Sequence, residues 1–514
     1  MQSGMSVKTD AGRTVSVWMA SSPLPHPPAL DGDLSADVCI VGAGIAGLTT
    51  AYRLTREGRS VAVIDDGPIA GGETSRTTAH LSNAIDDRYQ WIEKVHGERG
   101  ASLAAESHTA AIDAIEAAVR DEDIDCAFER IDGYLFNPPE SEKVDLAGER
   151  DAARRAGLSD VEIVPRAPVA SFDTGPALRF PRQGQFHPLR YLQGLVSVIG
   201  TRGGKLHLAH ADAIEGGPRP VVRTRHGRIT ARSVIVATNS PVNLLLPIHT
   251  KQAPYRTYVI GARIPKGSGP SALLWDTLDP YHYVRTQKLD GNDEEILIVG
   301  GEDHKTGQDE EPIDRHARLE GWARARFPMM REVEYEWSGQ VMETVDGLAF
   351  IGKSPDGEKN VWVATGDSGM GMTHGTIAGI LLADAVLGRE NPWADLYNPS
   401  RIPLRAAGRF AKENVNVALQ YGDYALPADV ADEVEIPPGE GAVLRDGLKR
   451  TTVYRDSDGV LHRRSAICVH LGCVVSWNTL EKTWDCPCHG SRFDPLGRVV
   501  NGPANRDLDP AEEE

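Results

Sequence analysis

Short apolar runs, glycine-rich turns and stretches of helical period divide the chain into recognisable elements. Val38-Cys39-Ile40-Val41 is continuously apolar, the pattern of a strand covered on both faces. Ser233-Val234-Ile235-Val236-Ala237 and Asn360-Val361-Trp362-Val363-Ala364 repeat it. Ile112, Ile115 and Val119 recur at helical spacing, whereas Glu295-Ile296-Leu297-Ile298-Val299 reads as a strand. The leader, residues 1–34, carries the run SSPLPHPP and cannot form a continuous helix, because proline lacks the amide donor. After Leu387 the pattern turns helical and polar, and Glu433–Gly441, rich in Pro and Gly, reads as a domain boundary. Short strands with turns such as Asp456-Ser457-Asp458-Gly459 follow and suit a small all-β domain; residues 509–514 read as a disordered tail.

At 514 residues the chain is too long for one ordinary domain. The formal charge of -18 repels phosphate backbones and anionic lipid, which disfavours nucleic acid and membrane surfaces as partners. Lys8, Asp10 and Arg13 interrupt the region where a signal peptide needs an apolar stretch. The longest uncharged apolar segment, Val38 to Tyr52, falls short of the roughly 20 residues of a membrane-spanning helix. A cytoplasmic protein without a membrane span is expected.

Gly42-Ala43-Gly44-Ile45-Ala46-Gly47 follows the first apolar strand and opens a helix with Ile45, Leu48 and Tyr52 on one face. In that context Gly42 permits the tight turn, Gly44 admits a pyrophosphate and Gly47 lets the helix pack closely on the sheet. The helix N-terminus offers unpaired amides to phosphate. A second strand, Val61-Ala62-Val63-Ile64, ends in Asp65, whose carboxylate can accept hydrogen bonds from a ribose.

Three further segments carry a resemblance: Gly71-Gly72-Glu73-Thr74-Ser75-Arg76-Thr77-Thr78-Ala79-His80, Asp346–Gly352, and Gly366-Asp367-Ser368-Gly369-Met370-Gly371-Met372-Thr373. From about residue 35 to 390 the chain resembles the D-amino-acid oxidase, glycine oxidase and sarcosine oxidase superfamily. The resemblance implies FAD at the glycine motif, with Ser75, Arg76 and Thr77 beside it. It further implies that Gly369, Gly371, Met372 and Thr373 bring a helix N-terminus to the flavin, where its dipole stabilises negative charge on the reduced ring. No second Gly-x-Gly-x-x-Gly appears, which disfavours a separate NAD(P)H site. His80 lies offset from the histidine that some relatives join covalently to the flavin, and a structural or polar role is expected of it.

Four of the six cysteines fall in one C-terminal stretch, and such clustering points to a metal site more than to a disulfide framework. Cys468-Val469-His470-Leu471-Gly472-Cys473 and Cys486-Pro487-Cys488-His489-Gly490-Ser491 resemble the two loops of a Rieske 2Fe-2S protein. A Rieske centre needs two thiolates on one iron and two imidazoles on the other, which assigns Cys468, His470, Cys486 and His489. The resemblance to the cytochrome bc branch implies a disulfide between Cys473 and Cys488, and a proline loop over the cluster at Gly502-Pro503-Ala504. A zinc knuckle is the alternative for such donors. Ser491 can donate a hydrogen bond to a sulfide, but Phe493 stands where tyrosine is frequent. Loss of that donor lowers the potential within the roughly -150 to +300 mV Rieske range.

The expected fold class is α/β: a Rossmann-like FAD domain with an inserted mixed α+β substrate domain, and a small all-β Rieske domain. The expected partition is an oxidoreductase domain over residues 35–400, a connecting segment over 401–432 and a Rieske domain over 433–508. Within the first, the FAD part comprises 35–85, 150–245 and 340–390, and the substrate part 86–149 and 246–339. Flavin accepts a hydride and the cluster one electron at a time, so the pair can act as a converter. The resemblance implies an amine or amino-acid substrate; a ferredoxin-like protein, a quinone or oxygen would accept the electrons. Strand alternation puts Tyr283 and Arg285 on one face, where an arginine could clamp a substrate carboxylate; a surface or structural ion pair is an equal alternative for it. An oxidase with a structural cluster and a non-catalytic redox sensor or carrier are the alternatives.

Overall fold

The computed structural model describes residues 11–23, 25–139, 143–243, 248–289, 291, 293–308, 314–402, 404–424, 429–430, 432–447 and 449–511. The ends of the expected leader and tail, residues 1–10 and 512–514, lie outside them.

The first apolar run forms the strand Val38–Val41, buried along its whole length. It sits inside a six-stranded sheet ordered 350–353, 361–365, 233–236, 38–41, 61–65, 205–208. All neighbours are parallel except the edge strand Phe350–Lys353. Two helices lie against one face of this sheet, Ile45–Arg56 and Gly371–Leu387. Their axes approach closely because Gly375 and Gly379 face Ile45 and Thr49, where any larger side chain would collide. That contact sets both helix N-termini at one end of the sheet, the carboxyl ends of its parallel strands, where α/β sheets bind ligands.

A second, nine-stranded sheet is ordered 333–344, 252–265, 294–305, 282–288, 273–276, 129–136, 177–185 and 80–81, with 162–164 paired to 177–185. The expected partition changes here, since Ala177–Gln185 was assigned to the FAD part but pairs with Glu129–Phe136 in this large sheet. Local pattern could not show that, because partner choice is a long-range property. The helix containing Ile112, Ile115 and Val119 runs Tyr89–Asp121 and breaks at Gly97, whose φ is 75°.

The leader is part of the core. Its helix Val17–Ser21 buries Trp18 completely, and the indole Nε1 donates to the Thr77 carbonyl at 2.6 Å. Leu34–Ser35 adds a parallel strand to the small sheet containing Gly227–Thr230. The prolines exclude a long helix but leave room for this single capped turn.

The C-terminal region forms two antiparallel sheets, Glu440–Asp446 with Lys449–Arg455 and Leu461–Ser465, and a four-stranded sheet from Ser476 to Asn501. The Asp456–Gly459 turn joins the second and third strands as its composition implies. No helix among the described residues is long and apolar enough to cross a membrane.

Candidate redox site: a flavin cavity beside a cluster pocket

A cavity of about 490 Å³ opens at the carboxyl ends of the parallel strands, lined at one end by Gly42, Gly44, Ile45, Ala46 and Asp65. Gly42 adopts φ +107° and presses against the Ala237 carbonyl, so only glycine serves there. A Cβ on Gly47 would overlap the Gly42 carbonyl, which is why the helix can start so close to the strand. A Cβ on Gly44 would meet only Thr74 Oγ1, at 3.0 Å, and otherwise project into open space. That open cradle, with the helix amides behind it, fits a pyrophosphate. Asp65 Oδ2 accepts from the Ala43 amide at 2.7 Å and Oδ1 from Gly67 at 3.0 Å, fixing its carboxylate at the cavity edge.

At the other end Gly369, with φ +71°, and Gly371, the first residue of its helix, face the cavity with Met372. Thr373 is buried and turns its hydroxyl to the Met370 carbonyl. Thr77 lines the cavity, whereas Ser75 Oγ bonds back to the Gly72 carbonyl. Arg76 lines the cavity as the resemblance implies and has a second duty. Its guanidinium is wholly buried and reaches Thr14, the Ser338 carbonyl and Glu481 of the C-terminal region, at 2.8, 3.0 and 3.2 Å.

Arg285 takes a structural role rather than that of a substrate clamp. One nitrogen donates to the carbonyls of Thr78, Ala79 and Phe186, the other to Gln287 Oε1 at 2.6 Å, and the plane lies over Trp18. Burial pushes it down to about 9. It locks the loop before His80 to the large sheet, so no fork remains for a substrate carboxylate. Tyr283 does line the cavity, its hydroxyl 2.6 Å from Thr257 Oγ1. His80 lines it too, 3.0 Å from the Thr78 hydroxyl, and burial holds it neutral, pushed down to about 3.

Apart from Asp367, which lies in the Gly366–Thr373 segment, the carboxylates of this cavity are not singled out by the sequence. Asp86, Asp87, Asp303, Glu343 and Asp367 all face this cavity. Burial raises Asp86 to about 6 and Asp303 to about 7, and repulsion from neighbouring acids adds to both. Burial raises Asp367 to about 6, and it places Glu343 well above the ordinary carboxylate range, with Asp87, Asp86, Asp367 and Asp303 adding repulsion. Tyr281 donates to Asp86 at 3.0 Å. These acids come from four separate segments and share no motif.

In the C-terminal region Cys473 and Cys488 form a disulfide, with their Cα atoms 6.4 Å apart, tying the two loops together. Cys468 and Cys486 remain free and buried. A hydrogen bond from Cys486 lowers the Cys468 thiol to about 7 despite its burial, as amides of His470 and Leu471 add to the effect. The rings of His470 and His489 are 5.1 Å apart, and the buried His489 Nδ1 has no protein partner. Two thiols and two imidazoles with an unused buried nitrogen fit a Rieske cluster, whose irons take two sulfur and two nitrogen donors. Burial and the adjacent His470 push His489 down to about 4, keeping the ring in its ligating form. Ser491 Oγ accepts from the Ala504 amide at 3.0 Å, and Phe493 is fully buried.

The two sites adjoin. His249, in a short turn just before Gln252–Pro265, is buried with its ring 5.0 Å from His470 and 5.9 Å from His489. Gln340 lines the flavin cavity and donates through Nε2 to the Gly490 carbonyl at 3.0 Å, one residue from His489.

A dinucleotide cradle joined to a Cys/His cluster pocket defines a flavoprotein with a Rieske centre. Residues 37–385 match the family of FAD dependent oxidoreductases and residues 427–511 match the Rieske [2Fe-2S] domain. The chain belongs to the FAD-dependent oxidoreductase family and carries a C-terminal Rieske domain; its cofactors are FAD and a 2Fe-2S cluster. It is 35% identical, over 96% of both chains, to YhfW of Bacillus subtilis, named as a Rieske 2Fe-2S iron-sulfur protein. Over 73% of this chain and 89% of the relative it is 26% identical to gamma-glutamylputrescine oxidoreductase of Escherichia coli. Its fold matches glycine oxidase from Geobacillus kaustophilus with a TM-score of 0.60 at 20% identity, covering 72% of this chain and 99% of the other.

Proposed function

We propose that the protein oxidises a cationic amine and passes the electrons through its own Rieske centre to an external acceptor. The observation that carries this reading is the Gln340–Gly490 bond, which joins the wall of the flavin cavity directly to the cluster-ligand loop, one residue from His489. His249 adds a second contact, its ring lying against both cluster histidines. A cluster that served only its own domain would need neither.

FAD bound in the cradle of Gly42, Gly44 and Asp65 would supply a hydride acceptor, and a cluster held by Cys468, His470, Cys486 and His489 would supply a one-electron exit. The substrate loses a hydride from carbon and the nitrogen proton; the imine formed takes up water and splits into a carbonyl compound and a free amine. The chain supplies binding and proton control. Asp86, Asp303 and Glu343 draw a cationic group inward, and ionise more readily once it arrives, because each positive charge relieves their mutual repulsion. Tyr281 and Tyr283 flank this acidic wall with rings 5.5 Å apart. Arg285 is committed to carbonyls; Arg88 lines the cavity with a buried Nη1 that has no hydrogen-bond partner among the described residues and could pair with a substrate carboxylate, while the five carboxylates around it favour a substrate that also carries a cation. The likeness to an enzyme named for gamma-glutamylputrescine, an amine that also carries a carboxylate, supports an amine substrate.

The test is anaerobic mixing of the purified protein with diamines and with small amino acids, followed by absorbance at flavin wavelengths and by EPR. Diamines should bleach the flavin and give the low average g signal of a reduced Rieske centre. Bleaching by amino acids alone would overturn the substrate class, and bleaching without any cluster signal would overturn the electron route.

A further inference from the structure

The flavin cavity has a wall that the oxidoreductase family match, residues 37–385, does not contain. Val499, Val500, Asn501, Gly502, Ala504 and Asn505 line it, all from the Rieske domain. Their position is specific. Asp65 marks the ribose end of the dinucleotide cradle, and the next residue, Asp66, holds His210 Nδ1 at 3.0 Å, whose Nε2 lies 3.1 Å from the Asn505 carbonyl. Asn505 Nδ2 donates to the Ala211 carbonyl at 3.0 Å, and Asn501 Nδ2 to Glu73 Oε1 at 2.7 Å. Glu73 lines the same cavity next to Thr74, whose Oγ1 accepts from the Ile45 amide at the head of the cradle helix at 3.3 Å.

The same segment forms part of the cluster pocket. Ala504 packs in the apolar core that holds Cys468, Cys486 and the disulfide, and its amide donates to Ser491, two residues beyond His489. One stretch of chain therefore borders both cofactor sites.

We propose that residues 499–505 are a binding wall for the adenosine half of FAD, and that an assembled cluster domain retains the flavin. The inference rests on the FAD site above and goes beyond the electron route. Without that wall the ribose end of the cradle opens to water. With the cluster present, Ser491 and Ala504 are fixed, and the wall is fixed with them.

The experiment uses the full-length protein loaded with both cofactors. Asn505→Ala and Asn501→Ala each remove an interdomain hydrogen bond at the wall and touch no cluster ligand. Flavin release is followed by fluorescence after dilution, with EPR and the thermal midpoint read on the same samples. The expected result is release about tenfold faster than in the parent, with the EPR signal and midpoint unchanged. In a second arm, iron is removed from the parent protein with a reductant and a ferrous chelator, and flavin should leave in step with loss of the EPR signal. Release within twofold of the parent in both variants overturns the wall, and full flavin retention after iron removal overturns the coupling. A parent protein that never binds FAD would instead refute the FAD site itself.

Discussion

Glu481→Gln removes one charge from the middle of the interface while keeping the shape of the side chain. Glu481 is wholly buried, as are Arg76 and Arg256, whose nitrogens lie 3.2 and 3.8 Å from its carboxylate. Arg492, also buried, pairs with Asp485 at 3.2 Å and approaches Glu73 at 3.8 Å. Three guanidiniums thus face three carboxylates, and the neutral amide leaves one positive charge uncompensated in a site closed to water. Breaking a buried pair in this way costs about 3–5 kcal/mol. Burial alone would raise the Glu481 carboxyl, but Arg76, Arg256 and Arg492 together hold it well below the ordinary range. Because its folded-state value is depressed, its contribution is complete above the unfolded value of about 4.3 and fades as pH falls below that. Urea denaturation of the loaded full-length protein, compared for Glu481→Gln, Arg76→Met and the double variant, measures the effect. Each single variant should lose about 3 kcal/mol or more at pH 7, the double variant should regain part of the loss, and the Glu481→Gln deficit should shrink below about pH 4. Single losses under about 1 kcal/mol that simply add in the double variant would refute the reasoning.

Other outcomes follow from the same geometry. Gly44→Val should abolish flavin binding, read as flavin content after gel filtration, while circular dichroism stays unchanged, because the new side chain meets only Thr74 before it enters the cradle. Arg285→Ala should lower the thermal midpoint through unpaired carbonyls of Thr78, Ala79 and Phe186, costing about 1–3 kcal/mol, yet leave amine KM close to the parent's. For a cationic substrate, kcat/KM should fall as pH drops from about 7 to 6, since Asp303 and Asp86 take up protons there and lose their pull; a flat profile from pH 8 to 5 would contradict it. Cys473→Ser opens a loop closed across a sequence separation of 15 and should cost about 3 kcal/mol in the Rieske domain, seen as earlier loss of the EPR signal on heating.

Much of this protein was legible in its residues because the relevant physics is local. The glycine turn at Gly42 to Gly47 needs only adjacent positions, and the structure places it between strand and helix as the pattern requires. The Cys468–Cys473 and Cys486–Ser491 loops carry their ligands within six residues each, so the resemblance to the Rieske loops could be read from two short segments. What the sequence hid is tertiary. Strand alternation left Arg285 open to a substrate clamp or a structural ion pair, but its partners come from residues 78, 79 and 186. Arg76 lines the cofactor cavity as its loop implies, but the partner of its charge, Glu481, lies 405 positions away. The five carboxylates of the substrate side converge from residues 86–87, 303, 343 and 367, a grouping that no period or motif encodes. The leader reads as irregular because of its prolines, yet Trp18 inserts into the core where the cofactor loop turns.

The most direct test of the central claim is anaerobic stopped-flow reduction by a diamine, followed at flavin and cluster wavelengths in the parent protein and in His489→Ala. In the parent, flavin should bleach first and the cluster should then reduce as flavin colour returns in proportion. In His489→Ala the flavin should bleach at close to the parent rate and stay bleached. Cluster reduction that is absent in the parent, or that proceeds without matching flavin reoxidation, would contradict the account.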